Sequence, residues 1–121
     1  MKIFVTVLAL FVGTQLFSQA NIKFDKEKHS FGKIKQGVPA SVVFTYTNTG
    51  AKPLIVETAT AECGCTSPEW TKAAVGKGKT GTIKATFNAA AAGAFTKRVT
   101  VKFANNPVPV VLTIEGEVVG K

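Results

Sequence analysis

Residues 40–48 read ASVVFTYTN, and their side chains alternate in character with a period of two. Val42, Phe44 and Tyr46 share one face of an extended chain, whereas Val43 and two threonines share the other. Alternation among β-branched and aromatic residues is typical of a half-buried strand. Asn48-Thr49-Gly50 follows with residues that favour a turn. The stretch therefore predicts a strand with one face in a hydrophobic core.

The same period recurs along the chain, and glycine, proline and asparagine separate the repeats. About seven short strands with regular turn signals predict an all-β fold, an immunoglobulin-like antiparallel β-sandwich. The Cys…Trp…Cys spacing of antibody domains is missing from the sequence. The other candidate strands are Ile22–Phe24, Phe31–Ile34, Leu54–Thr58, Thr82–Phe87, Phe95–Phe103 and Val108–Val118. The candidate core aromatics are Phe24, Phe31, Phe44, Tyr46, Phe87, Phe95 and Phe103.

The first twenty residues have the pattern of a secretory signal peptide. Met1-Lys2 is a short basic start, Ile3–Phe17 is mostly apolar and uncharged, and Ser18-Gln19-Ala20 has the small residues of a cleavage site. The apolar stretch is shorter than the about 20 residues that span a bilayer. We therefore expect residues 1–20 to be removed and residues 21–121 to form one domain, secreted or periplasmic and without stable membrane insertion.

The composition leaves little material for catalysis. His29 is the only histidine and Asp25 the only aspartate, and no G-x-S-x-G sequence occurs, so a Ser–His–Asp arrangement is not predicted. The formal charge is +8, spread among glutamates and threonines, which favours solvated faces and lysine-protected sheet edges over binding to anionic envelope polymers or acidic partners. Export and the lack of an aromatic–basic motif argue against nucleic-acid binding. The expectation is a non-enzymatic protein that does not bind nucleic acid.

Cys63-Gly64-Cys65 holds both cysteines of the chain. An internal disulfide at this spacing requires a bend, which Gly64 permits, and so tight a ring suits a redox role. Two thiolates could instead bind Cu(I) or Zn(II), although they supply only two of the four ligands of a closed zinc site, with His29 or Glu62 as a candidate third. A bond to another chain and a purely structural pair are the remaining interpretations.

The residues after the cysteines predict a loop, because Pro68 and other turn formers follow the end of a strand. Thr66, Glu69 and Trp70 are candidate binding residues on this loop. Trp70 could stack on a ligand, but a single tryptophan in a small domain more often packs against the core. His29, just before a strand, is interpreted as a surface or hydrogen-bonded residue.

Five motifs follow one another along the chain: HSFGKI at 29–34, FTYTNTG at 44–50 with Pro53-Leu54, CGCT at 63–66, PEW at 68–70 and GTI at 81–83. Their order resembles the bacterial family called domain of unknown function 1573. The resemblance covers residues 24–119 and implies an immunoglobulin-like sandwich, export, and an origin among Bacteroidetes-type Gram-negative bacteria. It also implies a distant similarity to major-sperm-protein and PapD-like sandwiches, which bind other proteins.

Together these features predict a module that binds a protein or a cell-envelope component through a loop or a sheet edge. The alternative is a thiol redox or soft-metal function, with copper or zinc, at Cys63 and Cys65. No other cofactor is expected.

Overall fold

The stretch that alternates most clearly, Ala40–Asn48, is a central strand of a β-sandwich in the computed structural model, which describes residues 21–120. The signal-peptide prediction falls on residues 1–20, outside the described part. None of the described residues belongs to a helix that could cross a bilayer. The strands are β1 Ile22–Phe24, β2 Lys28–Lys35, β3 Ala40–Asn48, β4 Val56–Ala61, β5 Thr66–Trp70, β6 Thr80–Phe87, β7 Gly93–Phe103 and β8 Val110–Val119.

Two four-stranded sheets form the sandwich, in the orders β1-β3-β6-β5 and β2-β8-β7-β4. This is the strand arrangement of a constant-type immunoglobulin domain, with the first strand divided between the sheets. The predicted fold class is confirmed. One pair differs from the expected pattern: β2 lies parallel to β8, whereas the other neighbouring strands are antiparallel. The first part of the chain changes sheets: β1 pairs with β3 in one sheet, and the next strand, β2, pairs with β8 in the other.

The prediction of a loop over residues 66–70 is wrong, because Thr66–Trp70 is the edge strand β5. The amide of Asn88 donates to the carbonyl of Cys65 (2.9 Å), and that of Thr71 donates to the carbonyl of Thr82 (3.0 Å). Since bonded and non-bonded pairs alternate in an antiparallel ladder, Pro68 opposite Ala85 occupies a non-bonded position. A proline there removes no ladder bond, as edge strands allow.

Strand β4 contains a bulge that the sequence pattern did not predict. The alternation placed Thr58 on the same face as Val56. In the structure Val56 is buried, Glu57 and Thr58 are both exposed, and Ala59 is buried instead. One extra residue in a bulged strand shifts the alternation of every residue that follows.

Aromatic contacts close the core at both ends of the sandwich. Tyr46 on β3 meets Phe103 on β7 edge to face, with ring centroids 5.1 Å apart. At the other end Phe87 on β6 stacks on Phe95 on β7, with centroids 4.0 Å apart. Five of the seven predicted core aromatics are buried, and the other two, on β1 and β2, are half-buried against the same core.

The Tyr46 side chain fills the space over Gly81, its partner on β6. A Cβ atom at Gly81 would overlap the Tyr46 hydroxyl, so the pair depends on glycine. Among the described residues the Tyr46 hydroxyl is the one buried side-chain polar atom without a hydrogen-bond partner. Burial raises the pKa of Tyr46 above its usual 10.0.

We expect Tyr46→Phe to fold and to increase the free energy of unfolding by about 1 kcal/mol, because it removes an unsatisfied buried hydroxyl. The gain should grow above about pH 10, where the tyrosine of the unfolded wild type ionises while the buried one stays protonated. Urea unfolding at pH 7 and pH 10.5 measures both effects. A loss of more than about 1 kcal/mol at pH 7 would mean that the hydroxyl has a partner.

Asn48, at the end of β3, joins two loops through its buried side chain. Its Nδ2 donates to the carbonyls of Lys52 (2.7 Å) and Val75 (2.8 Å), and its Oδ1 accepts from the amide of Gly50 (2.9 Å). The side chain therefore fixes both the β3–β4 loop and the segment before β6.

Asn48→Asp should lower the free energy of unfolding by about 3 kcal/mol at pH 7, because a carboxylate cannot donate and would face two buried carbonyls. Asn106→Asp is the matched control. The Asn106 Oδ1 accepts from Val108 at an exposed turn, and a carboxylate can do the same, so the change should stay within about 0.5 kcal/mol. Equal losses in the two variants would contradict this role for Asn48.

Candidate functional site

The cysteines lie on the turn that carries the chain from one sheet to the other. This turn, Glu62–Cys65, joins β4 to β5, which are edge strands of opposite sheets. Cys63 and Cys65 are joined by a disulfide, with Cα atoms 5.3 Å apart, and both residues are half-buried. Gly64 is exposed, and nothing stands within 4 Å of where its Cβ would be. The disulfide therefore lies at the surface.

The structure does not place His29 or Glu62 as a third ligand beside the cysteines. His29 is on β2, and two strands separate it from β4 in the same sheet. Glu62 instead accepts from the backbone amide of Arg98 and lies 3.6 Å from the Arg98 guanidinium. Within residues 21–120, no three His, Cys, Asp or Glu side chains come together as a metal-binding group.

The hydroxyl of Thr66 lies beneath the disulfide. Thr66 is buried, and its Oγ1 is 3.9 Å from the sulfur of Cys63 and 3.9 Å from that of Cys65. Hydrogen bonds to sulfur are long, and a hydroxyl can donate to either atom. This residue, predicted as part of a binding loop, thus contacts the disulfide from the inner side of β5.

A cavity of about 270 Å³ lies beside Cys65. Its other walls are the β6–β7 loop, the stacked Phe87 and Phe95, and Lys97. The sequence pattern places residues 89–94 only between two predicted strands. The one signal that these alanines form a wall is their position between two inward-facing phenylalanines, Phe87 and Phe95.

Hydrogen bonds hold the β6–β7 loop in place. The amide of Gly37 donates to the carbonyl of Ala89 (2.9 Å), and Gln36 Nε2 donates to that of Ala90 (3.0 Å). The Asn88 amide bonds to Cys65 on the other side. The cavity is therefore bounded by backbone that is fixed to both neighbouring turns.

Glu69 and Trp70 do not join the cysteine cavity. They contribute to a shallow groove of about 310 Å³ with Val43, Thr82 and Lys84, along the β1-β3-β6-β5 sheet. Trp70 packs partly against the core, and the Lys72 ammonium lies 3.8 Å from its ring centroid. The three predicted binding residues thus divide between two places.

His29 packs against Phe31, with ring centroids 4.8 Å apart. Burial of the imidazole, and then the positive charge of Lys26, lower the pKa of His29 below its usual 6.5. The only aspartate, Asp25, accepts from the backbone amides of Lys26 (2.8 Å) and Thr45 (3.0 Å). These contacts are consistent with a structural role for both His29 and Asp25.

The edges of the sheets differ in how they are protected against another strand. Lysine and proline on an edge discourage pairing with a second chain. Strand β1 carries Lys23, β5 carries Pro68, and β2 carries three lysines. Strand β4, VETATA, has neither residue type, and its one charge, Glu57, is paired with Lys102 at 3.0 Å. The edge of β4 is thus the one of the four without a lysine or a proline.

The free side of β4 offers unpaired backbone groups. The amide of Glu62 donates to the carbonyl of Arg98 (3.2 Å), so these two residues form a hydrogen-bonded pair. Because bonded and non-bonded pairs alternate along an antiparallel ladder, Thr60 bonds to Thr100, and the backbone N–H and C=O groups of Ala59 and Ala61 point away from β7. Across residues 21–120 no strand pairs with this side of β4. Only the preceding Leu54 is covered, by a two-way bridge to Val75.

The profile of the family described as protein of unknown function (DUF1573) matches residues 22–118. The chain belongs to this family. The resemblance noted in the sequence is thereby confirmed, and with it the assignment of the fold. No curated protein matches the chain.

Solved structures share the fold at low sequence identity. The PapD-like domain 7 of human CEP192 has a TM-score of 0.75 at 8% identity, covering 94% of this chain and 96% of that one. The Vibrio cholerae protease VesB has a TM-score of 0.65 at 18% identity, over 82% of this chain but only 32% of that protein. The chaperone YadV has a TM-score of 0.58 at 15% identity, over 81% and 52%. These similarities concern the fold alone.

The disulfide should contribute little to stability, because its loop contains one intervening residue. Chain entropy over so short a loop corresponds to about 1.5 kcal/mol, half of what a 15-residue loop provides. We expect the double variant Cys63→Ser/Cys65→Ser to remain folded with a loss of this size, measured by urea unfolding. Wild type in reductant is the control and should lose as much. A loss above about 3 kcal/mol would indicate a structural disulfide.

Proposed function

We propose that this chain is an exported, non-enzymatic module that binds an extended segment of another protein, in the periplasm or outside the cell, by adding it as a strand to the free edge of β4. The observation that carries the proposal is the difference among the four edges. Lysine or proline protects three of them, and β4 alone has neither. Export is supported by the apolar stretch and small-residue site within residues 1–20.

The backbone of Ala59 and Ala61 supplies the contacts that strand addition needs. Each residue directs an N–H and a C=O away from β7, and an added strand can bond to all four groups. The Leu54–Val75 bridge closes the edge before β4, so the added strand would lie beyond it, alongside residues 56–61. Main-chain bonds of this kind provide affinity without demanding one particular sequence.

The surroundings of β4 favour a partner with an apolar side chain at every second position. Residues on one face of an added strand would continue the inner face of the sheet. Half-buried Ala61, Cys65 and Trp70 lie at this side of the core and offer apolar surface to them. The opposite face of β4 presents Thr58 and Thr60, so the outward side chains of the partner can be polar.

Further support for protein binding comes from the fold. One similar structure is named a PapD-like domain and another a chaperone. The structural contacts of His29 and Asp25 support a non-enzymatic role, and the proposal includes no cofactor.

Panning a phage-displayed library of short peptides against the chain tests the proposal. We expect enriched sequences with an apolar residue at alternate positions. Ala61→Pro should weaken binding of these peptides at least about tenfold, because it removes a free N–H from the edge as Pro68 does on β5. Thr60→Lys should have the same effect, because a lysine on the edge strand opposes pairing.

Thr100→Lys is the matched control. Thr100 is the exposed partner of Thr60 on the central strand β7, so the charge change is the same while the edge is untouched. Its affinity should stay within about twofold of wild type, a free-energy difference of under half a kcal/mol. Failure of the library to enrich any peptide, or binding that neither Ala61→Pro nor Thr60→Lys weakens, would overturn the proposal.

A further inference from the structure

The surface disulfide and the neighbouring cavity form a second site, beside the turn that follows β4. Cys65 forms part of the cavity wall, whereas Cys63 does not. The remaining walls are the alanines and Gly93 of the β6–β7 connection, the two phenylalanines, Asn88 and Lys97. A volume of about 270 Å³ can hold a thiol-bearing group of the size of an amino-acid side chain. Of the two cysteines, Cys65 is therefore the one that such a group could reach from the cavity.

The charge at this cavity suits an attacking thiolate. Lys97 is the one ionisable residue that lines it. Thiolates are the reactive form in disulfide exchange, and a nearby cation favours the thiolate over the thiol. A cavity whose one ionisable lining residue is a lysine thus admits an anion that an acidic wall would repel.

Thr66 is placed to assist the sulfur that departs. Its hydroxyl lies 3.9 Å from both sulfurs on the buried side of the turn. When the disulfide opens, the hydroxyl can donate a hydrogen bond to the new thiolate of Cys63. Gly64, exposed and without neighbours within 4 Å of its Cβ position, leaves room for the two sulfurs to separate.

We propose that Cys63–Cys65 is a thiol–disulfide exchange site that accepts electrons from a dithiol, with Cys65 attacked from the cavity. One thiolate of the dithiol bonds to Sγ of Cys65, the Cys63–Cys65 bond breaks, and Cys63 leaves as a thiolate that takes a proton. The second thiol loses its proton and attacks the dithiol's own first sulfur. Cys65 is released as a thiolate and protonated, so two electrons and two protons pass to the chain.

The rate of reduction by dithiothreitol tests the proposal on the purified chain. Samples are quenched with an alkylating reagent, and intact mass counts two alkyl groups on each reduced chain. We expect the rate to rise linearly with dithiothreitol under native conditions. Ala92→Leu, which adds bulk at the cavity wall, should slow reduction by about fivefold, and Lys97→Gln by about threefold.

Lys52→Gln is the matched control, since it removes the same charge from the β3–β4 loop at the opposite end of the sandwich. Its rate should equal that of wild type. Unfolding exposes the disulfide and accelerates reduction, so a slower rate in a variant cannot result from loss of structure. Unchanged rates in both Ala92→Leu and Lys97→Gln, or a wild-type rate that reaches a plateau with dithiothreitol, would overturn the proposal.

Single-cysteine variants test which sulfur is attacked. Cys63→Ser retains the cysteine that lines the cavity, and Cys65→Ser retains the one that does not. Reaction with an aromatic disulfide reagent should be about fivefold faster in Cys63→Ser at pH 7, because Lys97 favours the thiolate of Cys65. Equal rates, or a faster reaction in Cys65→Ser, would contradict the assignment of Cys65.

Discussion

The fold depends on aromatic contacts that join its two sheets. Tyr46 meets Phe103 near one end of the sandwich, and Phe87 stacks on Phe95 near the other. Each pair contains one residue from each sheet, so each contact fixes the sheets relative to one another. Aromatic pairs of this geometry contribute about 0.5–1.5 kcal/mol beyond the burial of their area. Gly81 permits the first contact, because any larger residue would collide with Tyr46.

The two proposed sites follow from where these contacts hold the edge strands. The core positions β4 and β5 at one side of the sandwich, in opposite sheets, and the turn between them has to cross from sheet to sheet. Gly64 and the cysteines make this crossing in four residues. The Phe87–Phe95 pair, which holds the sheets together, also lines the cavity beside Cys65. The β4–β5 turn therefore contains the disulfide and directly follows the free edge of β4.

The sequence predicted the inner faces well, because alternation depends only on neighbours along the chain. Phe44, Tyr46 and Ile83 are buried as their pattern indicated. Pro68 misled the prediction, since its effect on a strand depends on which side of an edge it faces, and pairing with β6 decides that. The burial of Ala59 was missed for a similar reason, because a bulge is defined by the partner strand.

The candidate site was predicted only in part. The spacing of Cys63 and Cys65 allowed a disulfide, a metal site or a structural pair, and it could not reveal that Thr66 and Lys97 lie around them. Nor could it divide Thr66 from Glu69 and Trp70, because the neighbours of these residues follow from the register of β5 against β6, which sets Thr66 opposite Phe87 and Glu69 opposite Lys84. Residues distant in sequence meet here through strand pairing, which no local pattern records.

Amide hydrogen exchange along β4 shows whether this edge is unpaired. The Thr60 amide bonds to β7, whereas the amides of Ala59 and Ala61 point toward the free side. We expect Thr60 to exchange at least about a hundredfold more slowly than Ala59 and Ala61 in the isolated chain. Equal protection of all three amides would mean that the edge is already covered, and strand addition there would be ruled out.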